Sequence, residues 1–189
     1  MSLKNFIKVY PGIKDPKIIS KCIRFLNKSF NDKKFISGGL FNNGDTYEDK
    51  KVRDVNIMSL TNKSASLSLV HWANFLSFIV LNGMRSYAND FPSVKGATVF
   101  DIQALRYGIG GHYDFHCDDG PGMNRKYSSI LLLNNDYEGG ELCFRIDDKI
   151  EVIENKPGSL IIWPSNFMFP HAVKPLTKGT RYSIVSWMH

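Results

Sequence analysis

After residue 97 the sequence breaks into short apolar runs, each closed by residues that turn the chain. Candidate strands lie near Thr98–Tyr107, His112–His116, Ser128–Asn134, Glu141–Arg145, Lys149–Ile153, Ser159–Trp163, Ala172–Lys174 and Arg181–Met188. Between them stand Asp119-Gly120-Pro121-Gly122, Gly139-Gly140, Asp147-Asp148, Pro157-Gly158 and Lys178-Gly179, which are turn signals. The first half is patterned differently. Phe6–Tyr10 is expected to be a strand, and Asp15-Pro16 opens a helix, because Asp caps free N–H groups and Pro suits the first helical position. Ile19, Cys22, Ile23, Leu26 and Phe30 give that helix one apolar face through about residue 29. Residues 31–50, with Gly38-Gly39 and Asn42-Asn43-Gly44, are expected to form a loop. A second helix is expected from Leu67 to about Tyr87, with Val70, Ala73, Leu76, Val80 and Met84 as its buried stripe and Trp72 in the core. Helices followed by about eight short strands predict an α+β domain with N-terminal supporting helices and a rolled, jelly-roll or cupin-like β core. The mouth of such a core can hold a small ligand.

The chain has 189 residues, 43% hydrophobic and 13% aromatic, enough for one core without disulfides. One domain over residues 1–189 is expected, with helix-rich support in 1–96 and the site in 97–189. No run approaches 18 uncharged apolar residues, so neither a transmembrane helix nor a membrane partner is expected. The start lacks an apolar signal core. Cys22, Cys117 and Cys143 form no CxxC pair and are expected as reduced thiols, which favours the cytoplasm. The net charge is +6, and it belongs to residues 1–63, with 13 Lys/Arg against 6 Asp/Glu. The remainder has 11 against 12. A solvated lysine-rich helix face accounts for this, and the alternative is attraction to an acidic partner or nucleic acid.

The chemistry concentrates in one run, Tyr107-x-x-Gly110-x-x-Tyr113-x-x-His116-x-Asp118, followed 53 residues after Asp118 by His171 and ten residues later by Arg181. Residues two apart on a strand share a face, so His116 and Asp118 can reach one metal while Cys117 points away. Two imidazoles and a carboxylate are the ligand set of a mononuclear non-haem iron(II) site, although a zinc enzyme uses the same residue types. His112 and Asp114 also read His-x-Asp with the same parity, and spacing alone leaves both pairs open.

The run resembles the iron(II)/2-oxoglutarate-dependent dioxygenases of the prolyl 4-hydroxylase type. So do Arg125 before an apolar strand ending in Leu133-Asn134, then Tyr137-x-Gly139-Gly140-Glu141-Leu142-x-Phe144, Pro157-Gly158-Ser159, His171-x-Val173-x-Pro175, Gly179-Thr180-Arg181-Tyr182-Ser183 and Trp187. The resemblance covers about residues 97–189. It implies a double-stranded β-helix with His116, Asp118 and His171 as metal ligands, leaving His112 and Asp114 as bystanders. It implies that Arg181 holds the distal carboxylate of 2-oxoglutarate, with Ser183 and Tyr107 adding hydroxyls. Arg125 and Trp187 become candidates for the substrate side. Iron(II), 2-oxoglutarate, dioxygen and ascorbate are the implied cofactors and cosubstrates, and the implied reaction hydroxylates a prolyl residue in a peptide or protein, with succinate and carbon dioxide as coproducts. Some family members carry a Tyr where this chain has Leu132, so a phenol toward the oxo-acid is either absent or supplied by another residue. Many prolyl hydroxylases use Lys where this chain has Arg181. A nucleic-acid dealkylase on the same fold is the closest alternative, disfavoured because the tail after His171 offers only Arg181. A cupin-like module that holds metal without turnover is another, and a hydroxylase acting on lysyl side chains or free amino acids is a third. The segments 31–50 and Asp119–Lys126 are candidate lids.

Overall fold

A computed structural model describes residues 2–42, 45–61, 66–94, 97–120 and 122–189. Among these residues, two helices and sixteen strands follow a short 3-10 turn at Leu3–Phe6. The helices are α1 (Pro16–Asn31) and α2 (Leu67–Asp90). The strands of the first half are β1 (Lys8–Pro11), β2 (Ile36–Ser37), β3 (Leu40–Asn42), β4 (Asp45–Tyr47), β5 (Arg53–Asp54) and β6 (Asn56–Ser59). Those of the second half are β7 (Val99–Tyr107), β8 (His112–His116), β9 (Tyr127–Leu132), β10 (Glu138–Gly139), β11 (Leu142–Ile146), β12 (Lys149–Val152), β13 (Ser159–Pro164), β14 (His171–Val173), β15 (Leu176–Lys178) and β16 (Arg181–Met188).

A seven-stranded sheet runs β1-β13-β9-β16-β7-β6-β2, and a five-stranded sheet runs β12-β11-β14-β8-β5. From β7 onward the chain passes back and forth between these two sheets: β7, β9, β13 and β16 enter the first, and β8, β11, β12 and β14 the second. All strand pairs are antiparallel. This is the rolled double-stranded β-helix of the sequence expectation. The layer between the sheets is packed by Tyr107, Leu132, Phe144, Trp163, Val173 and Trp187 among others. The other face of the seven-stranded sheet buries Ile102, Leu131, Leu160, Ile162 and Ile184 against Cys22 and Leu26 of α1 and Leu76, Val80 and Met84 of α2.

The helix boundaries follow from their caps. The Asp15 carboxylate accepts from Lys17 N at 2.8 Å with Pro16 at the first position, and Ser66 Oγ accepts from Leu69 N at 3.4 Å. The buried face of α2 differs from the expected stripe. Trp72, Leu76, Val80, Gly83, Met84 and Tyr87 are buried, whereas Val70 stays 44% exposed. α2 is long and apolar enough, by length and composition, to cross a membrane, and in this fold one side of it is core. The first strand begins later than expected, because Leu3–Phe6 closes a 3-10 turn first. The expected loop 31–50 holds β2 and the β3–β4 hairpin, whose tip residues Asn43 and Gly44 lie outside the described residues. These strands, like β5 and β6, are short and paired by backbone, with no period-two apolar pattern to announce them.

One turn shows how the halves are locked. Gly158 has φ +83°, and its carbonyl accepts from both Gly12 N and Ile13 N at 2.9 Å. A Cβ there would lie 2.0 Å from the Ile13 carbonyl oxygen. Gly158→Ala is expected to destabilise the protein by roughly 2–5 kcal/mol in urea unfolding, from left-handed strain plus overpacking. Gly108→Ala, which meets nothing within 4 Å, should stay within about 0.5 kcal/mol.

Candidate metal centre

The five-stranded sheet brings together residues that are far apart in sequence. β14 pairs with β8 so that His171 stands directly opposite His116. Asp118 lies two residues beyond the end of β8, after Cys117. One ligand atom from each of His116, Asp118 and His171 lies within 4.8 Å of the others. His116 Nε2 is 3.7 Å and His171 Nε2 3.4 Å from the Asp118 carboxylate.

The orientation of each group is fixed from behind. His116 Nδ1 meets the Asp114 carbonyl at 2.8 Å and His171 Nδ1 meets the Phe169 carbonyl at 3.1 Å. Carbonyls only accept, so each Nδ1 carries the proton and each Nε2 offers its lone pair to the cluster. His171 sits against the rings of Trp163 and Phe144, at 4.9 and 5.6 Å, and His116 stacks on Tyr113 at 3.5 Å. Burial, and then the neighbouring His171, push the His116 pKa down to about 3, so the imidazole is neutral, as a ligand must be. For Asp118, burial alone would raise the carboxyl. His171, His116, the Ser128 hydroxyl and Arg125 outweigh it and hold the group below the ordinary carboxylate range.

The two competing His-x-Asp pairs are separated by a bulge. Between the His171–His116 and Val173–Tyr113 pairs, β14 advances two residues while β8 advances three. The extra residue breaks the alternation, so Tyr113 and His116 share the side that faces the cluster. His112 is directed elsewhere, with Nδ1 on the Gly110 carbonyl at 2.9 Å and Nε2 on that of Lys51 at 3.0 Å. Asp114 is exposed.

A second polar group lies deeper. Arg181 is 1% exposed, and its Nη1 donates to Ser183 Oγ at 2.8 Å. Its Nε and Nη2 have no hydrogen-bond partner, and among the described residues it forms no ion pair. The guanidinium stands 5.2 Å from the Tyr107 ring. Burial raises the Tyr107 pKa; Arg181 and Arg53 oppose that and Asp118 adds to it, which places the phenol within electrostatic reach of both Arg181 and the cluster. Two unpaired guanidinium N–H groups in a buried site fit an anion with two acceptor oxygens.

The remaining expected residues line a cleft of about 660 Å³ that opens from His116 and Asp118. Arg125 lies over the Trp187 ring at 3.8 Å and donates from Nη1 to the Asp118 carbonyl at 3.2 Å. Gly39, Leu40, Thr46 and Tyr47 border the cleft from one side and Gly122, Met123 and Asn124 from another, so parts of both expected lid segments border it; Pro121 lies outside the described residues.

Residues 102–189 match the family model of the 2OG-Fe(II) oxygenase superfamily. That match takes in just under half of the chain. A PKHD-type hydroxylase of Picosynechococcus is 34% identical over 113 residues, covering 58% of this chain and 51% of the relative. The chain spans about half the length of the curated relatives it matches. A prolyl-4-hydroxylase structure from Pseudomonas putida superposes with a TM-score of 0.74 at 17% identity, covering 97% of this chain and 92% of that one. A Trichoplax adhaerens prolyl hydroxylase, solved with a peptide fragment of the hypoxia inducible factor oxygen degradation domain, gives 0.79 at 19% identity, covering 97% and 83%. These two likenesses show the fold, a double-stranded β-helix of the prolyl hydroxylase kind.

Within the matched segment and beside it, several residues support the site without any signal in the sequence. Ser128 donates to Asp118 Oδ2 at 2.6 Å and shares a 2.8 Å hydrogen bond with Ser165. A serine on an apolar strand gives no hint of such a role. Ser128→Ala leaves one carboxylate oxygen without its partner, and metal affinity is expected to fall roughly 10–100-fold in a metal titration, with folding retained. Arg53, on the unforeseen β5, lies 4.5 Å from the Tyr113 ring and donates to the Gly39 carbonyl at 2.6 Å. Tyr137, which the sequence marks only as the start of the Gly-Gly segment, is a third. Its phenol accepts from Asn155 at 2.7 Å; burial raises its pKa and Arg181 opposes the rise, so it lies near that guanidinium.

Proposed function

We propose that this chain, acting as one domain over residues 1–189, is an iron(II)- and 2-oxoglutarate-dependent dioxygenase that hydroxylates prolyl residues in a peptide or protein. The observation that carries this reading is Arg181, a buried cation with two unpaired N–H groups, in the same β core as a His-Asp-His cluster. The donor set fits iron(II), with two imidazoles whose Nδ1 faces a backbone carbonyl and whose Nε2 faces the cluster, and a carboxylate held ionised. When bound, the iron supplies the oxygen chemistry that couples decarboxylation of 2-oxoglutarate, to succinate and carbon dioxide, to hydroxylation of a substrate carbon.

The protein's own part is holding and orienting. His116, Asp118 and His171 would hold the metal on one side and leave the other for the oxo-acid. Arg181 would hold the distal carboxylate with its free N–H pair, and Ser183, already accepting from Nη1, keeps its own proton to donate to the same group. Tyr107 and Tyr137 would flank it, and Tyr137 would supply the phenol that Leu132 cannot. Arg125 and Trp187 would form the wall against which a substrate peptide lies. A protein of this fold was solved with a bound peptide fragment, which supports a polypeptide substrate.

The test is turnover. The full chain, given iron(II), 2-oxoglutarate, ascorbate as reductant and proline-rich peptides, is expected to produce succinate and a single-oxygen mass gain that fragmentation maps to proline. No succinate from metal-loaded protein would instead leave a binding module. Oxygen on lysine, or loss of an alkyl group from nucleic acid, would overturn the substrate class.

A further inference from the structure

α1 and α2 lie on the same side of the seven-stranded sheet, joined through the stacked rings of Phe25 and Trp72 at 6.1 Å. Their solvent faces differ in kind. α1 exposes Lys17, Lys21, Arg24 and Lys28, and the spacing of four, three and four residues sets them on one stripe opposite Ile19, Cys22 and Leu26. Lys14 is exposed just before the helix. α1 contains no acidic residue, and none of these cations forms an ion pair among the described residues. Like charges three and four residues apart weaken a helix, so the stripe costs the free protein stability that an anionic surface would restore.

α2 is unlike an ordinary solvent-facing helix. No Asp, Glu, Lys or Arg occurs between Leu67 and Met84. Opposite its buried side, Leu67 is 89% exposed and Phe78 57%, with Val70 on the flank. Single exposed apolar residues need no explanation, but three on a helix uncharged from Leu67 to Met84, beside a cationic stripe, make a composite surface.

We infer that this side of the protein docks on an anionic phospholipid bilayer, with Leu67, Val70 and Phe78 entering the headgroup boundary and the α1 cations holding lipid phosphates. Docking here is peripheral, because the other side of α2 belongs to the core. Charge selects the occupant. A second copy of the chain would set two cationic stripes face to face. A nucleic acid would engage α1 and gain nothing from Leu67 and Val70. The inference does not rest on the proposed catalytic function, and it departs from the sequence expectation of no membrane partner.

Co-sedimentation with vesicles tests it. The full chain should partition onto phosphatidylcholine vesicles containing about one-third phosphatidylserine at least tenfold more than onto phosphatidylcholine alone, and less as salt rises. Lys21→Ala with Arg24→Ala should weaken partitioning roughly 10–30-fold, and Phe78→Ser about fivefold or more. All three side chains are exposed or flank the core, so circular dichroism and thermal unfolding should match the parent. Equal recovery on both vesicle types, or none on either, overturns the inference. So does a salt-sensitive complex with single-stranded RNA that Phe78→Ser leaves intact while vesicle binding is absent. A dimer in solution that Phe78→Ser dissolves also overturns it, since a second copy would then cover the face.

Discussion

Replacing Arg181 by Ala is expected to raise the 2-oxoglutarate concentration for half-maximal turnover by roughly 10²–10³-fold, the equivalent of about 3–5 kcal/mol for removing one partner of a buried charge pair. The cause is specific to this residue. Its side chain is buried, Ser183 satisfies only Nη1, and Nε and Nη2 make no hydrogen bond of good geometry, with the Tyr137 phenol close by. A free protein that buries such a group carries a desolvation cost, which a dicarboxylate would relieve. The same reasoning predicts an opposite effect on the protein without cosubstrate. Arg181→Met should raise its unfolding free energy by roughly 1–3 kcal/mol, since an apolar chain of similar length removes the unpaired charge. Excess 2-oxoglutarate should raise the Tm of the parent and leave that of Arg181→Met unmoved. Normal half-saturation in Arg181→Ala would refute the assignment, and a less stable Arg181→Met would refute the account of why the residue is strained.

The β core was legible in the sequence because its strands are apolar runs bounded by Gly and Pro, and β7, β8 and β16 lie where the turn chemistry places them. The short strands of residues 36–59 were not. They contribute two to four residues each and bind mainly through backbone, which leaves no periodic trace. The stripe of α2 differs from the expectation only in its first turn, where Val70 stays exposed and Ala73 is half-buried, while Trp72, Leu76, Val80 and Met84 are buried as expected. A helix without charged residues over most of its length offers no polar face to mark its outside, so Val70 was not excluded from the stripe by pattern. At the candidate site, the chemistry-bearing residue types were visible and their supports were not. Ser128, Arg53 and Tyr137 act through contacts across strands that no local spacing encodes.

The bulge in β8 turns this into a sharp contrast between neighbouring residues. His116→Ala, Asp118→Ala and His171→Ala should each lose retained iron(II) on desalting, with metal affinity falling by more than the roughly 10–100-fold produced by changes behind the ligands, and succinate production should vanish with it. His112→Ala and Asp114→Ala, four and two residues before His116, should keep both. His112 is not idle, since its imidazole bridges the Lys51 and Gly110 carbonyls and so ties the turn before β5 to β8. Its loss should therefore lower stability by about 1 kcal/mol while leaving metal content unchanged. The parity of an unbroken strand would put His112, Asp114 and His116 on one face and make the first two damaging to metal binding. The extra residue between Tyr113 and His116 is what separates them. Loss of iron from His112→Ala at full folded content would mean that β8 is regular in solution and that the ligand set has to be redrawn.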